Sequence, residues 1–141
     1  MFNLPDILII AIQIFFVAFF INLLYELLHS VLYTTCLQMS IKEYIPLVLK
    51  ASTVDGLWIS SFYLITYFIF KNTNPLNSYY QIILFFIISI LWAYFWEIYS
   101  TANKRWEYSE NMPLVAGVGL TPLIQLFLTG ILSFYIIFNI F

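Results

Sequence analysis

A bundle of four membrane-spanning helices is the fold this sequence predicts, and three observations predict it. First, 63% of the 141 residues are hydrophobic and 9% are charged, with a mean hydropathy of +0.95. Soluble domains carry roughly 25% charged residues, so this chain has too little charge to clothe a soluble surface. Second, the apolar residues fall into four runs, about residues 7–33, 47–70, 79–101 and 122–141, each near the roughly 20 residues a helix needs to cross a bilayer. Third, the few ionisable residues inside those runs recur at helical spacing, as one-sided stripes rather than scattered charges. The predicted class is all-α, a single transmembrane domain over residues 1–141, with a re-entrant or interfacial loop before the last helix.

Residues 1–6 are expected to cap the first helix, with Pro5 in its first turn and Asp6 favoured there by the helix dipole. No basic residue precedes the first apolar run, so it lacks the positive flank of a cleaved signal and is expected to be a retained span. Span one, Ile7 to about Tyr33, is longer than a bilayer core of roughly 30 Å, so its last turns can tilt or reach the headgroups. It carries Asn22, Glu26, His29 and Tyr33, spaced by four, three and four residues, on one helix face. His29 is the only histidine. A carboxylate and an imidazole are costly against hydrocarbon, so the stripe must face protein, water or a ligand.

Thr34 to Pro46 reads as a loop, with Ser40-Ile41-Lys42-Glu43 able to cap a short interfacial helix. Span two runs from Leu47 to Phe70. Its first half holds Lys50, Ser52, Thr53, Asp55 and Gly56. Lys50 can snorkel, whereas Asp55 lies roughly 12 Å beyond the span's start and cannot easily do so. Lys71 to Ser78 is a polar turn that makes spans two and three antiparallel neighbours. Span three, Tyr79 to Thr101, is bracketed by Tyr79, Tyr80, Trp92, Tyr94, Trp96 and Tyr99, which read as interfacial belts. Tyr94, Glu97, Thr101 and Arg105 form a second polar stripe. The loop 103–121 holds Gly117, Gly119 and Pro113, with Pro122 after it, and is expected to fold back tightly. Span four, about Pro122 to Phe141, carries Gln125 one turn inside.

Spans one and three end where spans two and four begin. Glu26, His29, Ser52, Asp55, Glu97 and Gln125 are therefore expected at one level, on different helices, under a loop bearing Arg105, Trp106 and Tyr108. Glu97 with Arg105 and Asp55 with His29 would neutralise one another as structural pairs. The functional alternative makes Glu26, His29, Asp55, Glu97 and Arg105 the reacting groups, because ionisable residues inside a membrane mark sites.

Three chemistries suit these residue types. Glu26-x-x-His29 has the spacing of di-iron four-helix bundles, with Asp55 and Glu97 as further ligands for Mg²⁺, Mn²⁺ or Fe; the second histidine such sites use is missing. Acid–base catalysis would use His29 as base, Glu26 or Asp55 to hold its tautomer, and Arg105 with Lys104 to hold a phosphate or carboxylate headgroup. Binding without chemistry would capture a lipid, isoprenoid or pigment, pass an ion or proton, or serve a larger membrane complex. Trp106, Tyr108, Gly117, Gly119 and Gln125 are the expected ligand-binding residues. Gly117 and Gly119 can offer backbone donors to an anion or simply turn the chain. Membrane lipids, a second copy or a membrane-protein partner fit this surface. Nucleic acid does not, with five basic residues and a net charge of -2. Cys36 is the single cysteine, which rules out an internal disulfide and a thiolate metal cluster.

Arg105-Trp106-Glu107-Tyr108-Ser109-Glu110-Asn111-Met112-Pro113, followed by Gly117 to Gln125, resembles a pattern in a family of small bacterial four-span membrane proteins. Glu26 with a nearby tyrosine and Asp55 followed by a small residue are similar too. The resemblance implies a four-helix fold in a bacterial inner membrane and brings no activity or substrate with it. Basic residues crowd the loops after spans one and three (Lys42, Lys104, Arg105), which predicts those loops inside and both termini outside. The leading expectation is a membrane enzyme or enzyme-like protein for a hydrophobic substrate. A non-catalytic binding or assembly subunit and an ion or proton transporter component are the alternatives.

Overall fold

The computed structural model describes residues 4–140. Residues 1–3 of the expected N-terminal cap and Phe141 of the expected last span lie outside them. Within that range the chain is mostly helical. It forms α1 (Leu4–His29), a 3₁₀ turn (Ser30–Leu32), α2 (Thr34–Gln38), α3 (Ile41–Phe70), a 3₁₀ turn (Pro75–Asn77), α4 (Tyr79–Ala102), strands β1 (Leu114–Val115) and β2 (Val118–Gly119), and α5 (Leu120–Asn139). α1, α3, α4 and α5 are long and apolar enough to cross a membrane. Their outer faces carry large exposed apolar side chains along much of their length, such as Leu8, Ile12, Phe16, Phe20 and Leu24 on α1. A soluble monomer rarely shows such continuous apolar surface.

Two boundaries differ from the sequence reading. The interfacial helix expected at Ser40 and span two are one helix, with Pro46 inside it. Its start is secured by Glu43, whose carboxylate accepts the Ser40 backbone N–H (3.1 Å) and hydroxyl (2.7 Å). Pro46 costs the bond that the Lys42 carbonyl would receive, but residues 41–43 are exposed and that carbonyl can turn to water. At the end of α1 the helix tightens over Ser30–Leu32, and Tyr33 leaves it in extended conformation (φ -115°, ψ 119°). The helical expectation holds, and the segment ahead of α5, expected as a re-entrant or interfacial loop, forms a short antiparallel hairpin of β1 and β2. Its turn residues, Ala116 and Gly117, both have positive φ (50° and 83°), which the tight hairpin turn matching strand twist requires.

The bundle is a ring. α1 packs on α3 and α5, and α4 packs on α5 and, less extensively, on α3. Ile14, Ile59, Phe85, Phe134 and Tyr63 fill the centre, all fully buried. Gly130 lets α5 approach α4, since a Cβ there would lie 2.4 Å from the Phe85 ring. The turn after α3 uses Lys71 in left-handed conformation (φ 55°), and Asn74 accepts from Leu76 N–H (3.0 Å) to close the 3₁₀ turn. Fully buried Gln81 then donates to the Asn72 carbonyl (3.2 Å), tying that turn to α4.

Candidate functional site

At the other end of the bundle, the weak α3–α4 contact leaves a cavity of about 200 Å³. Glu26, His29, Asp55, Glu97, Arg105, Trp106 and Gln125, all expected from the sequence, line it together. Tyr108 stands behind Glu97 rather than on the wall. Gly117 and Gly119 serve the hairpin: Gly117 turns it, and a Cβ on Gly119 would press on Met112 Sδ (2.9 Å) and Pro122. Ser52 is buried and returns its hydroxyl to the Val48 carbonyl (2.8 Å).

The inner wall is organised by Gln125. Its amide nitrogen lies 2.8 Å from Glu26 Oε1, 2.8 Å from Asp55 Oδ2 and 3.1 Å from Asn22 Oδ1. Three acceptors fix which end of the amide faces inward, because the carbonyl oxygen there would meet three oxygens. Asn22 Oδ1 also accepts from Thr129 (3.1 Å), and its own amide donates to the Ala18 carbonyl (2.9 Å). This network joins α1, α3 and α5 through the residues the sequence placed at one level. It also bears on the metal reading. The Gln125 amide nitrogen engages one oxygen of the Glu26 carboxyl group and one of the Asp55 carboxyl group. Among the described residues no three His, Cys, Asp or Glu side chains converge to hold a metal ion.

His29 is buried at the end of α1. Its Nδ1 lies 2.9 Å from the Tyr25 carbonyl, one turn back. A carbonyl only accepts, so Nδ1 carries the hydrogen and the neutral ring has a bare Nε2. Nε2 faces Glu26 Oε2 at 4.0 Å, on the cavity side. Tyr25 and Tyr33 pack against the ring (centroids 4.9 and 5.4 Å), fixing its plane. Tyr25 itself donates its hydroxyl to the Thr121 carbonyl (2.8 Å), which ties the His29 turn to the start of α5. This role of Tyr25 is not among the sequence expectations; its place four residues before His29 is the available signal.

The pairs expected to neutralise the acids do not form. Among the described residues, no ion pair joins Glu97 to Arg105 or Asp55 to His29. Buried Glu97 accepts instead from Trp106 Nε1 (3.2 Å) and from the Tyr108 hydroxyl through the same oxygen. Those donors are held by docking of the 107–109 segment across the end of α1: Thr34 N–H donates to the Glu107 carbonyl (3.0 Å), and Ser109 N–H donates to the Leu32 carbonyl (2.8 Å). Burial, then the bond to Glu97, pushes the Tyr108 phenol above its ordinary value. Burial and the nearby carboxylates of Glu97 and Glu26 do the same to Tyr33.

All four tryptophans of the chain line the cavity. They form a ladder along the α3–α4 gap. Trp58 meets Trp92 (centroids 3.9 Å), Trp92 stacks near-parallel with Trp96 (6.3 Å, 13°), and the Arg105 guanidinium lies over Trp96 (5.0 Å) and beside Trp106 (5.8 Å). Trp92 and Trp96, expected from the sequence as interfacial belt residues, face the cavity instead. Their four-residue spacing, and Trp58 three residues after Asp55, are the signals that they share a face with the acids. Lys50, rather than Lys104, is the second cation on the wall. Comparison with protein-family models, with curated proteins and with solved structures gave no match, so the chemistry of the site rests on its own geometry.

Proposed function

We propose that this chain is a small membrane enzyme that performs acid–base chemistry on a membrane-resident amphiphile entering between α3 and α4. The observation that carries the reading is His29. Its Nδ1–H is committed to the Tyr25 carbonyl, which leaves Nε2 as a base beside the Glu26 carboxylate and open to the cavity. In this reading Nε2 takes a proton from a substrate hydroxyl or from water, Glu26 stabilises the imidazolium that forms, and Asp55 and Gln125 hold Glu26 in place. The Trp58–Trp92 pair and Leu126 give the substrate an apolar wall.

The basic residues Lys42, Lys50, Lys104 and Arg105 lie at the cavity end and Lys71 at the other, which supports a cytoplasmic cavity and external termini in a bacterial inner membrane. Exposed Leu114 and Val115 support an interfacial position for the hairpin. The central plug of Phe85, Phe134, Ile59 and Ile14 argues against an ion or proton route to the far side. One observation favours a non-catalytic binding subunit instead: Glu26 Oε1 and Asp55 Oδ2 are both engaged by Gln125.

The test is incubation of the purified chain with bacterial lipid extract, followed by mass spectrometry. Wild type is expected to alter a lipid species that His29→Gln and Glu26→Gln leave unchanged. Identical lipid profiles for all three proteins would sink the enzyme reading and leave the binding one.

A further inference from the structure

We infer that Arg105 and Lys50 form a clamp for an anionic headgroup, a phosphate or carboxylate, at the mouth of the cavity. This rests on the reading above for what happens deeper inside, but the binding claim can be tested separately. Three observations carry it.

The first is the state of Arg105. Its guanidinium lies over Trp96 and beside Trp106, yet donates to no protein group among the described residues. These contacts place the guanidinium against the two indoles while leaving its five N–H donors unspent. The second is the competitor. Glu97 is the acid that sequence proximity would assign to Arg105, but one of its oxygens, Oε2, is occupied by Trp106 and Tyr108, and no Glu97–Arg105 ion pair forms among the described residues. The cation stands beside a carboxylate that does not pair with it. The third is Lys50, on the opposing wall, which is likewise without a protein partner among the described residues. Glu26 and Asp55 are tied to Gln125 at the inner wall. The cavity thus carries its two cations, with the hydrogen-bonded Glu97 beside Arg105, where a ligand enters, and the Glu26 and Asp55 carboxyl groups where it ends.

The cavity, of about 200 Å³, lies along the α3–α4 gap, so the apolar tail of a ligand held at the mouth would run into that gap and the bilayer beside it. The ligand class is an amphiphile with an anion at the mouth and a second polar group within reach of His29.

All four tryptophans line the cavity, so intrinsic fluorescence reports its occupancy. Full-length protein in dodecyl maltoside micelles would be titrated with dodecyl phosphate, inorganic phosphate and dodecyltrimethylammonium, reading the half-saturation concentration. Dodecyl phosphate is expected to saturate the response. Arg105→Ala and Lys50→Ala should each weaken it roughly tenfold, the equivalent of about 1.4 kcal/mol, and Arg105→Lys should recover part of the loss. Both residues are exposed, so the variants should remain folded, which thermal unfolding checks. Equal binding of dodecyltrimethylammonium, or wild-type binding by both alanine variants, overturns the clamp. Inorganic phosphate saturating at the same concentration overturns the membrane source of the ligand. Saturable dodecyl phosphate binding together with unchanged lipid profiles would sink the catalytic reading alone. The reverse pair of results would sink the clamp alone.

Discussion

Trp106 donates its indole N–H to Glu97 Oε2 at 3.2 Å, across a chain reversal of nine residues. The reversal is made by Lys104, which adopts a left-handed backbone (φ 53°) just after α4 ends. The same carboxylate oxygen takes the Tyr108 hydroxyl. One buried acid therefore pins the loop that roofs the cavity, and the loop in turn presents Arg105 at the mouth.

Removing that acid should release the roof. Glu97→Ala leaves the indole and phenol donors without an acceptor, at a cost of about 2 kcal/mol, since an unsatisfied buried polar group costs roughly 1–3 kcal/mol. Glu97→Gln keeps one acceptor oxygen and should lose less. Limited proteolysis within residues 103–119 measures the effect: cleavage should be faster in the alanine variant, intermediate in the glutamine variant and slowest in wild type. Equal rates in all three would show that Glu97 does not hold the loop.

Gln125 should behave as the keystone of the inner wall. Gln125→Leu removes a donor shared by Glu26, Asp55 and Asn22 and should lower stability by about 2 kcal/mol. Gln125→Glu should cost more, because it sets a third carboxyl group against two others. Thermal unfolding in one detergent gives the order wild type, leucine, glutamate. A glutamate variant as stable as wild type would mean that the acids do not meet at this position.

Much of this was legible in the sequence, for a physical reason. Hydrocarbon imposes a length and an apolar composition on each span, so the four helices and the common level of Glu26, His29, Asp55, Glu97 and Gln125 follow from counting residues between polar turns. What counting cannot supply is partner choice. Arg105 lies eight residues beyond Glu97 and looked like its ion pair, but α4 ends at Ala102 and the turn at Lys104 delivers Trp106 to the carboxylate instead. The hairpin was missed because Ala116, not a glycine, occupies its first left-handed position. Pro46 suggested a helix start, whereas capping at Ser40 lets the helix begin earlier, where a lost backbone bond faces water.

Gly130 and Phe85 set the distance between α5 and α4. A methyl at position 130 would meet ring atoms of Phe85 at 2.4 and 2.8 Å, with Ile59 behind at 3.5 Å. Phe85 is fully buried against Phe134 (centroids 4.8 Å), so its ring has nowhere to move without displacing a second one. Gly130→Ala should therefore cost about 1–3 kcal/mol as overpacking. Phe85→Leu in the same background should recover part of that loss, so the two changes will not be additive. A double variant whose loss equals the sum of the single losses would show that the contact does not limit the packing.

Cys36 reports on the cavity from the α2 side. It lines the cavity, and burial first, then the nearby Glu26 carboxylate, pushes its thiol above the ordinary value. A raised thiol has less thiolate at neutral pH, and only the thiolate alkylates quickly. As the only cysteine, it can be followed without background. Iodoacetamide at pH 7.5 should modify it more slowly than it modifies glutathione, and the rate should climb as pH rises. Glu26→Gln removes the repelling charge and should speed the reaction, while burial, the larger cause, keeps it below the free thiol. An unchanged rate in that variant would mean that the Glu26 charge does not reach the thiol, and that burial alone sets its reactivity.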